Sequence, residues 1–197
     1  MVNQSEQWSR FIQGSQEAFE ELYVLYAKMM YRYGKHFTGD RELLEDTIHD
    51  LFVYLYEKRA QLPKSVDSIS AYLLVSLRRR LLRNLKQKAL TFSMEQLPEV
   101  EPPADRQADC DMLEREKREE RARLLSELNS QLTERQRQLL YLRFREQLSY
   151  REIAIVMDIT EQSAKNMMQK TLSKLRSSLV SIDVATLSVI SGPLSGR

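Results

Sequence analysis

Apolar residues recur at spacings of three and four along most of this chain, the period at which side chains share one helix face. Phe19, Leu22, Tyr23, Tyr26, Met29, Met30 and Tyr33 form one such stripe, which predicts a buried helical face. Gly39 and Asp40 interrupt it, and a second stripe follows with Leu43, Leu44, Thr47, Ile48, Leu51, Phe52 and Leu55. Gln61 to Ser68 contains Pro63 and reads as a loop. Leu74, Leu77, Leu81 and Leu85 then line the core side of a third helix. Residues 5 to 91 are thus predicted to be helical throughout, broken only at these points, and to bury their stripes against one another as a bundle.

The pattern fails after residue 94. Glu95 to Asp111 holds Pro98, Pro102 and Pro103 and few large apolar side chains, so it reads as a linker. Helical signals resume near Met112. Thr133 with Gln136, and Ser149 with Glu152, have the spacing of a capping box, in which two side chains satisfy each other's unpaired backbone donors. They predict helices over about Glu134 to Arg145 and Tyr150 to Met157, with a third over about Glu161 to Val180. The tail from Asp183 to Arg197, rich in Ser, Gly and small apolar residues, is expected to fray. The expected fold is all-α: an N-terminal helical bundle (1–94), a flexible acidic linker (95–112), a C-terminal helix-turn-helix domain (113–182) and a flexible tail (183–197).

Composition narrows the class. With 5 Gly, 5 Pro and 29% charged residues among 197, the chain suits a helix-rich globular protein. Its apolar runs are too short to cross a bilayer and it opens with no secretory signal, so a cytoplasmic location without membrane insertion is expected. Cys110 is the one cysteine, which rules out an intrachain disulfide. The formal net charge of +2 conceals segregation. Arg78, Arg79, Arg80, Arg83, Lys86 and Lys88 occupy a stretch from Ser68 to Met94 with no acid. Glu95, Glu99, Glu101, Asp105, Asp109 and Asp111 face only Arg106 in the linker, and bases again exceed acids after Arg121. Polyanions respond to such local fields.

Two stretches carry candidate chemistry. In the first, Ile153, Ala154, Met157, Ala164, Met168, Leu172 and Leu175 would close a pair of helices across a turn at Asp158, a residue that tolerates a left-handed backbone. Gln162, Lys165, Asn166 and Gln169 remain outside, and amides and cations suit base edges and phosphates. A three-helix bundle with an ordinary solvated face fits the same pattern. In the second, Tyr72, Arg79, Arg83 and Lys86 fall in one narrow sector opposite the leucines, an aromatic among cations as in surfaces that stack bases and follow a phosphate backbone. Arg78 stands beside the leucine stripe and is expected to snorkel or to pair with an acid inside the bundle.

Catalysis has little support. His36 and His49 lack a second ligand at i+4, and Asp46 with Asp50 forms an acidic face better suited to solvent or a protein than to a metal. No Gly-rich phosphate loop or nucleophile elbow is present. Neither enzyme activity, cofactor nor metal is expected.

Gly14-Ser15-Gln16-Glu17-Ala18-Phe19-Glu20-Glu21-Leu22-Tyr23 resembles the opening of the extracytoplasmic-function branch of the sigma-70 family of RNA polymerase sigma factors. Glu45-Asp46-Thr47-Ile48-His49-Asp50-Leu51-Phe52 is similar to that family's polymerase-binding helix, with His49 where Gln is usual. Ala71-Tyr72-Leu73 and the arginines after it resemble the promoter-melting helix, where Trp is commoner than Tyr. Leu132-Thr133-Glu134-Arg135-Gln136-Arg137 and Leu148-Ser149-Tyr150-Arg151-Glu152-Ile153-Ala154 resemble the last domain, although Met167 stands where many members carry a base. The run from Ser76 to Leu82, SLRRRLL, also resembles the Bacteroidetes-type members.

The resemblance implies a specificity subunit whose partners are core RNA polymerase (clamp and flap), promoter DNA and an anti-sigma factor. It assigns polymerase binding to Asp46, His49, Asp50 and Phe52. It assigns the −10 element to Lys64, Ser65, Asp67, Tyr72, Arg79, Arg80, Arg83 and Lys86, with the loop from Gln61 to Ser68 receiving a flipped base. It assigns the −35 element to Arg151, Gln162, Ser163, Lys165, Asn166, Gln169 and Lys170, and threads the acidic linker through the polymerase. The rival reading is a self-sufficient helix-turn-helix regulator that binds an operator as a dimer.

Overall fold

The computed structural model describes residues 4–91 and 130–190, with side chains up to residue 88 in the first segment and 178 in the second. The linker and Cys110 lie outside the described residues.

The first segment is not one uninterrupted helical run before Gly39. Helix α1, Gln4–Ile12, stops at Gly14, whose φ of 96° is strained for any residue with a side chain. Helix α2, Gln16–Gly34, starts directly after it because the Ser15 hydroxyl accepts from the Ala18 amide at 3.1 Å. Helix α3, Arg41–Glu57, is capped by Asp40, which accepts from the Leu43 amide at 3.0 Å. Where α2 meets α3 the helices approach so closely that a Cβ on Gly34 would lie 2.2 Å from Leu44 Cδ1, so any larger residue would force the buried Leu44 side chain to shift. A 3₁₀ turn, Arg59–Gln61, and the expected loop lead to α4, Ile69–Thr91. Trp8, Phe11, Leu22, Met30, Tyr33, Leu44, Leu51, Leu73, Leu74, Leu77 and Leu81 are buried between these helices.

Two details differ from the apolar pattern. Tyr23 is 42% exposed, because the stripe on α2 is wider than the surface α3 and α4 cover, and its ring leans on Phe52 at 4.8 Å from the rim. Arg78 is partly buried, with its charge close to the Tyr33 phenol. Burial pushes that phenol well above its ordinary range, Arg78 opposes the shift, and the hydroxyl has no hydrogen-bond partner among the described residues.

The second segment holds α5 (Glu134–Leu140), α6 (Tyr150–Met157) and α7 (Glu161–Ile190). Both expected capping boxes are formed, at Thr133 with Gln136 and at Ser149 with Glu152. The helix expected to reach Arg145 changes at Tyr141 into a π-helical turn, Tyr141–Arg145. Gln147 then adopts a φ of 55°, which reverses the chain and lets the Leu148 amide reach the Leu142 carbonyl at 3.0 Å. Helix α7 runs past Asp183, where fraying is expected, to Ile190; the residues beyond lie outside the described ones.

The two segments pack on each other. Helix α6 lies against α4, and Leu139, Leu142, Ile153, Val156 and Met157 belong to the same apolar core as Leu74 and Leu77. His36 Nδ1 and Glu134 Oε1 are 2.6 Å apart, and the Tyr141 hydroxyl donates to the Met29 carbonyl at 3.2 Å.

Candidate nucleic-acid interface

The turn between α6 and α7 is short because Asp158 takes the left-handed conformation, with φ 58° and ψ 55°, and the Ile159 amide returns to the Ala154 carbonyl at 3.0 Å. Thr160 then accepts from the Ser163 amide at 3.1 Å and starts α7. Ala164 and Met168 turn inward onto Ile153 and Met157, and small Ala154 admits the close approach. Gln162, Ser163, Lys165, Asn166, Gln169 and Lys170 are all exposed on the first turns of α7. They are also organised: Gln162 Nε2 donates to Asn166 Oδ1 at 2.9 Å, and Lys165 pairs with Glu161 at 2.7 Å. A helix braced this way carries three amides and two cations on its exposed face, side chains of the kind that suit base edges and phosphates.

The second face is on α4 and the loop before it. Arg79, Arg83 and Lys86 are exposed, while the Arg80 guanidinium lies 4.5 Å over the Tyr54 ring. Tyr72 is half-buried with its ring edge-on to Trp8 at 5.3 Å, and burial raises its phenol pKa. Lys64, Ser65 and Asp67 are exposed at the tip of the loop, whereas Val66 turns inward.

Asp46, His49 and Asp50 are exposed on α3. Phe52 is not: at 3% exposure it lies under this surface, touching Phe19 and Tyr23, and supports the face from beneath. Asp50 meets the basic helix in a notch of about 170 Å³ lined by Thr47, Asp50, Arg80, Arg83, Asn84 and Gln87. The acidic and basic faces therefore adjoin. Among the described residues no group of three His, Cys, Asp or Glu is placed to hold a metal ion, and no helix is long and apolar enough to cross a membrane.

The loop and the helix-turn-helix also meet. Arg151 Nη2 is 3.6 Å from Asp67 Oδ2, with both side chains largely in solvent. Burial alone would raise the Glu152 pKa, but hydrogen bonds from Ser149 and Ser68 outweigh it and hold the carboxyl low. Glu152 thus caps its own helix and reaches the residue that caps α4, since the Ser68 hydroxyl accepts from the Ala71 amide at 3.2 Å. Sequence reasoning assigned Arg151 and Asp67 to separate elements, gave Glu152 only its capping partner Ser149, and gave no role to Tyr141 or Trp8. Their partners lie far away in the chain, and no local spacing signals them.

Residues 22–91 match the family model described as Sigma-70 region 2, and residues 122–175 match that described as Sigma-70, region 4. A comparison with curated proteins gave no match. Among solved structures the chain is similar to CnrH, solved in complex with the cytosolic domain of CnrY, at 18% identity and a TM-score of 0.57, over 90% of this chain and 97% of that one. It is also similar to the sigma factor RpoE from Bartonella quintana, solved with the anti-sigma factor NepR, at 15% identity and a TM-score of 0.57, over 82% of this chain and 96% of that one. At these identities the likeness concerns the fold.

Proposed function

Because the chain belongs to the sigma-70 family, with the region 2 and region 4 models matching in order over more than half its length, we propose that it is an extracytoplasmic-function type sigma factor that directs core RNA polymerase to promoters. Residues 1–94 form the unit that engages polymerase and opens the −10 element, 95–112 the connecting segment, and 113–182 the unit that reads the −35 element. Asp46, His49 and Asp50 contact the polymerase clamp, with Phe52 beneath them. Tyr72, Arg79, Arg80, Arg83 and Lys86 follow the melted strand, and Lys64, Ser65 and Asp67 border the place of a flipped base. Arg151, Gln162, Ser163, Lys165, Asn166, Gln169 and Lys170 meet the −35 groove. The protein supplies specificity to an enzyme, works in the cytoplasm where that enzyme acts, and performs no catalysis itself. Since RpoE was solved with an anti-sigma factor, and CnrH with the cytosolic domain of CnrY, an anti-sigma partner belongs to the same proposal.

The observation that carries this reading is the presence of two cationic and polar faces, on α4 and α7, within the two matched segments of one chain. A lone operator-binding regulator leaves the α4 face without a task. Mixing the protein with core polymerase and a genomic fragment library, then sequencing run-off transcripts, tests the proposal. Transcripts from a discrete promoter set, absent with core alone, are expected. No co-elution with core polymerase, together with unaided dimeric binding to a palindrome, would overturn it.

A further inference from the structure

Helix α1 lies outside the segment that matches region 2, which begins at residue 22, yet it holds the loop that the proposed function assigns to −10 recognition. Trp8 is 1% exposed. Its indole Nε1 donates to the Pro63 carbonyl at 2.9 Å, across 55 positions of sequence. The same ring meets Tyr72 edge-on at 5.3 Å and Phe11 at 5.5 Å. One side chain therefore touches both parts of the proposed −10 apparatus: the loop that carries Lys64, Ser65 and Asp67, and the aromatic on the melting helix.

The geometry makes this contact a lever. Pro63 has its φ locked by the ring, so fixing its carbonyl fixes the plane of the peptide that leads into Lys64. At its other end the loop is tied by Ser68, whose hydroxyl caps α4 and whose carbonyl accepts from the Tyr72 amide at 3.1 Å. Between the two ties only Val66 points inward; Lys64, Ser65 and Asp67 are presented to solvent. Recognition of a single extruded base needs its contacts held to within about 0.5 Å, and exposed loop residues have no packing of their own to provide that. We infer that Trp8 is a positioning residue for −10 recognition, setting the loop through the Pro63 carbonyl and Tyr72 through ring contact, so that base selectivity and strand opening depend on a helix outside the matched region.

This rests on the sigma-factor reading, and the test separates the two. Pro63 is exposed, so its carbonyl can turn to water when the indole N–H is lost, and the effect falls on loop placement more than on stability. Trp8 is the one tryptophan in the chain, so global replacement by benzothienylalanine changes position 8 alone, keeping the bicyclic shape without the donor. The replaced chain, Trp8→Phe and the unaltered protein are each assembled with core polymerase. Each is offered a DNA library randomised over both promoter elements, and opening is read by permanganate footprinting. The expected result is unchanged thermal melting, core affinity and −35 preference for the isostere, with −10 discrimination and opening reduced about fivefold to tenfold, the effect of one lost hydrogen bond. Trp8→Phe, which also loosens the contact with Tyr72, should fall at least as far. Wild-type −10 discrimination and opening in the isostere would overturn the inference, as would a loss matched by lower core affinity or melting temperature. If the unaltered holoenzyme selects no −10 sequence, the sigma-factor reading fails instead.

Discussion

Glu134→Gln should raise the undocked population of the C-terminal segment without unfolding either segment. Glu134 opens α5, and its two oxygens are divided between partners: Oε1 takes His36 at 2.6 Å, and Oε2 takes Arg137 at 2.8 Å. His36 lies 98 residues away, so this bond exists only while the segments are docked. A hydrogen bond to a charged acceptor contributes about 1.5–3 kcal/mol when shielded. The carboxylate is 41% exposed, and competing water lowers the value to about 1–1.5 kcal/mol. That corresponds to about a fivefold to tenfold gain in the undocked population. The two Tyr141 contacts, at Met29 and over His36 at 5.5 Å, adjoin the same site, so Tyr141→Phe combined with Glu134→Gln should be non-additive. Single-molecule energy transfer between dyes at Val24→Cys and Gln169→Cys, in a Cys110→Ser background, reads the change; both sites are exposed. Acid should act in the same direction. Burial pushes the Glu134 carboxyl up, but His36 and Arg137 more than offset this and hold it below its ordinary 4.5. The docking it contributes is therefore complete above that pH and is lost as the pH falls through the depressed value. An unchanged transfer distribution in Glu134→Gln, or opening that coincides with loss of helix signal, would refute the reasoning.

Other outcomes follow from the same geometry. Neutralising Lys165 and Lys170 together should weaken promoter binding broadly and lower the salt slope by about two counterions, whereas Asn166→Ala should relax base preference with little change in slope; titrations at several salt concentrations distinguish them. Reversing the charges of Asp46 and Asp50 should abolish binding to core polymerase while circular dichroism stays unchanged, because exposed carboxylates add little to folding. Asp158→Gly should raise the melting temperature slightly and Asp158→Val should lower it, by about 1–2 kcal/mol in stability, because φ 58° suits glycine and strains a β-branched residue.

Most helix positions, both capping boxes, the left-handed turn at Asp158 and the exposed row on α7 were legible in the amino-acid order, whereas the break at Gly14, the π-helical turn at Tyr141 and the run of α7 past Asp183 were not. Each legible feature depends on chemistry within a few residues: a period of 3.6, a hydroxyl reaching an amide three positions on, a short carboxylate side chain tolerant of αL. Family membership was legible for a related reason, because the motifs are local and their order survives in one dimension. Tertiary structure decided what local spacing cannot encode. Tyr23 and Phe52 both sit on apolar stripes, but only packing determines that one lies on the rim and the other beneath it. The same holds for the pairing of His36 with Glu134, of Arg151 with Asp67 and of Trp8 with Pro63. These contacts join residues tens of positions apart, and each requires helices that the buried leucines of α4 hold together, so the chain's own order carries no mark of them.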